Sequence, residues 1–458
     1  MLIHTINPTN GKTLSSYSII SSECCNTLIE KTQASFLNWR HLSLDERIEH
    51  IKNITEALAR QQQACAELIS LEMGKPIQFA TLEIEKCRLV CQHYIEHAQA
   101  YLVPQAVTTE FKQSFVVYQP LGIILAIMPW NFPFWQVFRF IIPNLLAGNV
   151  VLLKHASNVM GCAQKIASIC LDAGLPPYTM THLPISAEMV ADVIAHPAVR
   201  GVTLTGSEHV GRQIAEVAGR HLKKVSLELG GNDAAIILAD AKLAEAAKSI
   251  LASRLRNTGQ VCVASKRIII DQTVEAAFIA HLLEEIKHYQ MQDPCLPDAI
   301  FGPMARADLR ASIHVQVQAA IQHGAILLCG GFIPEGDGFF YPPTVLSAVD
   351  KHSIVYAEEL FGPVIAISSF HTIEEAIDLA NATRFGLGAS VYGQDMTLIK
   401  HLLVEEMAAG LCCGNMPVTS DPRLPFGGIK DSGYGRELGR EGIVEFTNVK
   451  TVIIDAIT

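Results

Sequence analysis

Short apolar β runs alternate with helical segments through most of the chain, and this alternation limits the possible folds more than any other feature. Val150-Val151-Leu152-Leu153 has no polar interruption, as expected of a strand that is buried on both faces. The predicted elements of this block are strands over 122–127, 150–153, 201–204, 225–227 and 234–238, and helices over 163–173 and 210–218. Buried strands that alternate with helices indicate βαβ units around a parallel sheet.

Other segments extend this pattern at both ends. Apolar residues recur at helical spacing from Ser22 to about Tyr101, with a break at Gly74-Lys75-Pro76. A second alternating block runs from Lys242 to Val391. With 458 residues, the chain is long enough for two or three domains.

Two further β runs each allow more than one strand pairing. The run over 111–118 precedes the strand over 122–127 and predicts either a strand pair or a crossover. The run Val449–Ile454 must join a sheet or leave an open edge, and pairing with another subunit would satisfy it.

Composition excludes several classes of function. A net charge of -10, with no basic run longer than Lys223-Lys224, predicts no nucleic-acid partner. The apolar stretch over 122–148 is interrupted by prolines, asparagines and Arg139, which favours buried core over a membrane span. Twelve irregularly spaced cysteines without a CxxC pair predict no disulfide framework and no metal site. We therefore expect a protein with reduced thiols in the cytoplasm, and the first residues carry no secretory signal.

Two segments carry residues suited to covalent chemistry. Gly259-Gln260-Val261-Cys262 follows a predicted helix, so the thiol lies where a helix gives way to a loop. Leu227-Glu228-Leu229-Gly230-Gly231 places a carboxylate at the end of an apolar β run, next to two glycines that allow close approach. A lone cysteine is more often a small buried hydrophobe, and a lone glutamate can cap a helix. Together they predict a nucleophile and a general base.

Three segments lie at the ends of predicted strands, where ligands bind in open α/β sheets. Thr205-Gly206-Ser207 leads into a helix whose N-terminus can receive phosphate, although the GxGxxG fingerprint is absent. Lys154 ends another strand. Pro129-Trp130-Asn131-Phe132-Pro133 holds an asparagine amide between two prolines, which suits an oxyanion donor.

These segments together resemble the aldehyde dehydrogenase superfamily over nearly the whole chain. The segments that carry the resemblance are Pro129-Trp130-Asn131-Phe132-Pro133, Lys154, Thr205-Gly206-Ser207, Glu228-Leu229-Gly230-Gly231, Gly259-Gln260-Val261-Cys262, Glu358-Glu359-Leu360-Phe361-Gly362-Pro363, and Pro425-Phe426-Gly427-Gly428 continuing through Lys430, Ser432-Gly433 and Gly435-Arg436-Glu437. The resemblance implies an α/β fold with two Rossmann-like parallel-sheet domains and a small β oligomerisation element. We expect a cofactor-binding domain over 1–100 and 120–230, a catalytic domain over 231–430, and the oligomerisation element over 101–119 and 431–458. The family's five-strand cofactor sheet accounts for the missing GxGxxG.

The resemblance also implies a role for each matched residue. Cys262 is the nucleophile, Glu228 is the general base, and the Asn131 amide and the Cys262 backbone N–H are oxyanion donors. The cofactor is NAD or NADP, and the residues expected to contact it are Trp130, Lys154, Ser157, Gly206, Ser207, Gly211, Leu229, Glu359 and Phe361. Ser157 occupies the position where NAD-preferring relatives often place a glutamate that repels a 2′-phosphate, so both cofactors stay open. No metal is expected.

The substrate expected from the resemblance is an aldehyde with a distal carboxylate, and succinate semialdehyde is the leading candidate. Arg139 and Arg256 match positions that hold this carboxylate in succinate-semialdehyde dehydrogenases, and Phe132 and Phe426 are expected to line the same site. Against this, Thr419-Ser420-Asp421 does not clearly supply the serine of those enzymes, and Asp421 can repel an anion. Ala264 stands where some relatives have a second cysteine, so no redox switch is expected.

Three alternatives stay open at this point. The chain can be a dehydrogenase for another aldehyde class, a non-enzymatic scaffold on the same fold, or an acylating enzyme that uses coenzyme A. The presence of both Cys262 and Glu228 argues against the last two. The expected assembly is a homodimer or a homotetramer.

Overall fold

The computed structural model describes residues 2–455, and its regular elements alternate as the sequence predicts. Its strands are β1 Leu2–Ile6, β2 Thr13–Ser18, β3 Gln105–Ala106, β4 Gln113–Pro120, β5 Ile123–Met128, β6 Val150–His155, β7 Met180–His182, β8 Val199–Thr205, β9 Lys224–Glu228, β10 Ala234–Ile237, β11 Arg267–Asp271, β12 Ile326–Cys329, β13 Thr344–Ser347, β14 Val364–Phe370, β15 Phe385–Gly386, β16 Gly388–Tyr392, β17 Leu411–Gly414, β18 Ile429–Lys430, β19 Gly433–Tyr434 and β20 Thr447–Ile454. Its helices are α1 Ser22–Trp39, α2 Leu44–Arg60, α3 Gln62–Met73, α4 Ile77–Leu102, α5 Trp135–Leu146, α6 Met160–Asp172, α7 Val190–Ala195, α8 Glu208–Arg220, α9 Leu243–Leu255, α10 Glu275–Glu285, α11 Ala307–Gln322, α12 Ile354–Ala357, α13 Ile373–Asn381, α14 Met396–His401 and α15 Gly439–Val444.

Local chemistry explains where several helices begin and end. Ser43 and Glu46 form a reciprocal capping box at the start of α2. The α3 helix ends at Gly74, whose φ of 77° is in the left-handed region that glycine adopts without strain. Among the described helices, none is long and apolar enough to cross a membrane.

The first large sheet has the strand order β19-β9-β8-β5-β6-β7. Five of these strands are parallel, and only the short β19 runs antiparallel, against β9. Every residue of β5 is buried, because helices cover both faces of the sheet. The five-strand parallel core agrees with the predicted cofactor sheet.

The second large sheet has the order β12-β13-β14-β11-β10-β16-β17, and only β12 is antiparallel to its neighbour. Three apolar clusters pack around this sheet, so it has a core on each face. Two mainly parallel sheets with flanking helices confirm the predicted α/β fold class.

A third sheet, β20-β4-β3, decides between the alternatives that the sequence left open for two β runs. The last strand, β20, pairs antiparallel with β4 of its own chain over 447–454. The strands β4 and β5 lie in different sheets, so they form a crossover between sheets and not a pair. Within 431–455, β19 extends the first sheet and α15 packs against α4 and α5. The division into domains otherwise stays a prediction.

Candidate active site

The order of the first sheet creates a crevice between two loops. The strand order reverses between β5 and β8, because β6 and β7 lie on one side of β5 while β8 and β9 lie on the other. Ligands of open α/β sheets bind at such a point, beyond the carboxyl ends of the strands. The loop with Trp130 and Asn131 follows β5, and the loop with Gly206 and Ser207 follows β8.

Cys262 lies in a loop that is tightly constrained by its neighbours. Residues 257–259 have φ angles of 51°, 54° and 75°, a left-handed conformation that only glycine adopts cheaply. The Lys266 ammonium donates to the carbonyl oxygens of Val261 at 3.1 Å and Cys262 at 2.6 Å. The thiol is half-buried, and burial raises its pKa to about 11 against the opposing effects of Arg139 and Lys266. It is therefore protonated at neutral pH in this structure.

Asn131 is fixed beside the Cys262 loop. Its side-chain amide donates to the carbonyl of Gln260 at 3.0 Å. Its own carbonyl accepts hydrogen bonds from the Lys75 ammonium at 2.9 Å and from the Asn257 amide at 2.8 Å. An NH₂ group has two donors, so one stays available for a developing oxyanion.

Glu228 ends β9 and is buried, with a relative exposure of 2%. Neither carboxyl oxygen has a hydrogen-bond partner among residues 2–455. Burial raises the pKa of Glu228 well above its usual range, and Glu437 adds to the shift while Arg139 and Arg436 oppose it. The glycines that follow bring the same segment to the Cys262 loop, since a Cβ on Gly231 would lie 2.7 Å from the Cys262 carbonyl oxygen.

A cavity of about 250 Å³ leads to the Cys262 thiol. Phe132 and Phe426 both line it, as the sequence predicts, and so do Arg139 and Arg256. Its other lining residues are Glu83, Lys86, Trp135, Gln136, Ala252, Ser253, Val261, Val263, Pro417, Val418, Thr419 and Ser420. Glu228 and Asn131 do not belong to this lining.

The two arginines of the cavity differ in their surroundings. Arg139 is buried in α5 and forms an ion pair with Glu437, so its charge is largely offset. Its Nη2 has no hydrogen-bond partner among residues 2–455. Arg256 is half-buried and lies 5.8 Å from the centre of the Phe132 ring. Among the described residues it forms no ion pair or hydrogen bond, so it is the freer of the two cations.

The segment before Pro425 changes one expectation from the sequence. Ser420 lines the cavity, so this chain does place a serine hydroxyl there. Asp421 does not line the cavity. Its carboxylate accepts hydrogen bonds from Arg423 at 2.8 Å and 2.6 Å. The hydrogen bonds from Arg423 lower the pKa of Asp421 to about 2. The expected repulsion of an anion is therefore offset.

The crevice of the first sheet has features that fit an anionic nucleotide. Lys154 is the second-last residue of β6 and is half-buried, and its ammonium has no ion pair or hydrogen bond among residues 2–455. Ser157 lies exposed in the following 3₁₀ turn, so this position carries a hydroxyl and not a carboxylate. Ser207 caps α8 by accepting from the Val210 N–H at 3.5 Å. The unpaired Lys154 cation and the N-terminus of α8 are each suited to phosphate.

Gly206 and Gly211 have different surroundings. Gly206 is half-buried and directly follows β8. Gly211 is buried one turn into α8, where a Cβ would lie 2.6 Å from the Leu229 side chain. Gly211 thus allows α8 to pack closely on the segment after β9.

Glu359 and Phe361 join the crevice from the second sheet. The Glu359 carboxylate pairs with Lys266 at 3.2 Å and accepts from the Gly231 N–H at 3.2 Å. Burial raises its pKa, and Lys266 opposes that shift. The rings of Trp130 and Phe361 meet edge to face with centroids 5.8 Å apart. The structure therefore brings Phe361 to Trp130 and Glu359 to the segment after β9.

The comparisons with known proteins agree with this geometry. The model of the aldehyde dehydrogenase family matches residues 1–452. The chain belongs to the aldehyde dehydrogenase family.

Its relatives within that family have consistent names. A protein of Synechocystis sp. named "Probable succinate-semialdehyde dehydrogenase", with NADP(+) as cofactor, is 44% identical and covers 99% of this chain and 100% of its own. The Escherichia coli succinate semialdehyde dehydrogenase Sad, named for NAD(P)+, is 42% identical over 99% of this chain and 98% of its own. The crystal structure of succinic semialdehyde dehydrogenase from Streptococcus pyogenes with NADP+ aligns with a TM-score of 0.97 at 36% identity, over 99% of this chain and 100% of that one.

Three lysines at the site of this aldehyde dehydrogenase were not predicted from the sequence. Lys75 is buried, pairs with Glu83 and holds the Asn131 loop. Lys266 links Glu359 to the Cys262 loop, and Lys86 lines the cavity. Only Lys75 had a visible signal, as a charge between the apolar ends of two predicted helices. Among residues 2–455, no three His, Cys, Asp or Glu side chains are grouped so as to hold a metal ion.

Proposed function

We propose that this chain oxidises an aldehyde with a distal carboxylate, succinate semialdehyde to succinate, with NAD(P)+ as the hydride acceptor. The observation that carries the proposal is a single cavity lined by the Cys262 thiol, two apolar rings and two arginines. The names of the relatives from Synechocystis sp. and Escherichia coli support the same substrate.

The proposed reaction begins on Cys262. Its thiol releases a proton to water, and the thiolate sulfur adds to the aldehyde carbon to form a tetrahedral adduct. The Asn131 amide and the Cys262 backbone N–H donate to the adduct's oxyanion. Lys154, Ser207 and Glu359 would hold NAD(P)+, which would supply the acceptor for the hydride of this carbon and leave a thioester on the sulfur.

Hydrolysis of that thioester falls to Glu228. Its carboxylate takes a proton from water, the hydroxide oxygen adds to the acyl carbon, and the thiolate leaves. One aldehyde, one water and one NAD(P)+ thus give one acid, one NAD(P)H and one proton. Burial of Glu228 supports this role, because a raised pKa makes the carboxylate a stronger base.

We further propose that NADP+ is the better cofactor. Lys154 is an unpaired cation beside Ser157, which cannot repel a 2′-phosphate as a glutamate would. Two of the relatives are named for NADP(+) or NAD(P)+. Glu359 is proposed to receive a ribose hydroxyl in place of its bond to Gly231.

We also propose an assembly and a location for this chain. The exposed apolar residues Val449, Ile453 and Ile454 on β20 support a homodimer or homotetramer through that edge. Light scattering on the purified chain checks this, and a monomer at micromolar concentration contradicts it. Reduced cysteines support the cytoplasm, and a protein recovered outside the cell with disulfides would contradict it.

The substrate proposal is tested by comparing kcat/KM for succinate semialdehyde and butanal, which differ by the distal carboxylate. We expect a preference for the acidic aldehyde of at least about tenfold, because a charge-assisted hydrogen bond contributes ~1.5–3 kcal/mol. Cys262→Ala should abolish oxidation and leave cofactor binding, followed by fluorescence, nearly unchanged. Turnover by this variant would overturn the covalent route, and an acyl-coenzyme-A product would favour the acylating alternative.

A further inference from the structure

Some charged side chains of the cavity wall form ion pairs, and two cations do not. Glu83 pairs with Lys75, and its Oε1 also accepts from the backbone N–H groups of Phe134 at 2.9 Å and Trp135 at 3.0 Å. Arg139 pairs with Glu437. Both pairs are buried, so each contributes little net charge to the cavity.

Two cations remain without a carboxylate partner among the described residues. One is Arg256, which the sequence already singles out. The other is Lys86, which extends from α4 and is half-buried at the cavity. Its Nζ donates to the Ser420 hydroxyl at 2.6 Å and lies 4.4 Å from the centre of the Trp135 ring.

The surroundings of Lys86 orient its ammonium without neutralising it. A hydroxyl and an aromatic face stabilise the cation, yet neither carries a full negative charge. The nearby Asp421 carboxylate is engaged by Arg423. A half-buried ammonium with two spare donors, which lines the same cavity as a free guanidinium, is suited to a carboxylate.

We propose that Lys86 binds the distal carboxylate of the acidic aldehyde, with Ser420 holding the ammonium in place, and that it sets the preference for acidic over neutral aldehydes. This inference rests on the proposed substrate. Arg256 shares the carboxylate, and Arg139 acts mainly through its pair with Glu437.

A dependence on pH follows, because lysine can lose its charge where arginine cannot. Burial, aided by Arg256 and Arg139, lowers the pKa of Lys86 to about 8. The charged and titratable groups around it are Arg256, Arg139, Glu83, Cys87 and Asp421. Lys86 is charged below this pKa, so the preference is full there and declines as pH rises through about 8.

The experiment measures the ratio of kcat/KM for succinate semialdehyde to that for butanal between roughly pH 6.5 and 9.5, since kcat/KM reports groups of the free enzyme. The ratio cancels the ionisation of Cys262 and Glu228, which act on both aldehydes. Lys86→Met removes the charge and nearly conserves the length of the side chain. Lys86→Arg keeps a charge that does not titrate. Lys248→Met, on the exposed face of α9, is the matched control.

We expect Lys86→Met to lower the ratio roughly ten- to a hundredfold at pH 7 and to remove its decline with pH. Lys86→Arg should recover at least part of the ratio and keep it flat, while Lys248→Met should behave as the wild type. If the wild type prefers acidic aldehydes but Lys86→Met keeps that preference, the inference is overturned and the proposed substrate stands. If the wild type shows no preference, both are overturned. Equal losses for the two aldehydes in both Lys86 variants would indicate a structural role and overturn the inference.

Discussion

At the scale of single residues, the chemistry depends on groups that are held away from water. Glu228 is enclosed, and its pKa is raised first by burial and then by Glu437. A carboxyl with a raised pKa is mostly neutral below that value, so the fraction able to act as a base increases as pH rises through it. Hydrolysis of the thioester should therefore accelerate with rising pH, whereas a carboxylate with an ordinary pKa would show no such rise near neutrality.

Glu228→Gln removes the proposed base with little change in shape. We expect one rapid turnover per site, visible as a burst of reduced cofactor absorbance, followed by a steady-state rate lower by about 10²–10⁴-fold. The burst itself is the control, because it requires intact binding and acylation. Full steady-state turnover by the variant would show that another group activates water.

At the scale of elements, close packing between α8 and the segment after β9 positions the helix N-terminus at the crevice. Gly211 makes this approach possible, since a Cβ there would meet the Leu229 side chain at 2.6 Å and 2.7 Å. Gly219 lies in the same helix, but a Cβ there would meet nothing within 4 Å. Comparing alanine substitutions at these two glycines therefore separates the effect of packing from the effect of helix propensity.

Gly219→Ala should stabilise the protein by up to about 1 kcal/mol, because alanine favours the helix. Gly211→Ala gains the same propensity but crowds Leu229, and overpacking costs about 1–3 kcal/mol. In urea unfolding, we expect the free energy of unfolding of Gly211→Ala to be lower than that of Gly219→Ala by about this overpacking cost. Gly211→Ala should also bind the cofactor more weakly. Equal stability of the two variants would mean that Leu229 moves aside freely.

At the scale of the whole molecule, the two large sheets face the site with opposite ends. The first sheet contributes residues at or just beyond the carboxyl ends of its strands, such as Asn131, Lys154 and Glu228. The second contributes residues that precede its strands, such as Cys262 before β11 and Phe361 before β14. A cofactor in the crevice would therefore contact both sheets and stabilise the molecule as a unit.

Thermal unfolding with cofactor tests this arrangement. NADP+ at a hundred times its Kd should contribute about 2.7 kcal/mol and raise Tm by a few degrees. Ser157→Glu should lose most of this shift with NADP+ and keep it with NAD+, because the carboxylate repels a 2′-phosphate. If the variant keeps equal shifts with both cofactors, Ser157 does not face the 2′ position.

What the sequence determined by itself was local. The fold class, the crevice loops and the segments of Cys262 and Glu228 could be predicted because strand alternation and short motifs are written in neighbouring residues. Ion pairs and hydrogen bonds between distant segments could not. Lys86 reaches Ser420 across 334 positions, and nothing in the local pattern marks either residue as a partner of the other.

Only the tertiary structure decided how the cations of the cavity differ. Arg139 and Arg256 are equivalent in the sequence, yet Glu437 offsets the charge of Arg139 and leaves Arg256 free. It also decided that β20 pairs within its own chain, since an apolar β run specifies the need for a partner but not which strand supplies it. Charge and pairing depend on what surrounds a group in space, and that environment exists only once the chain has folded.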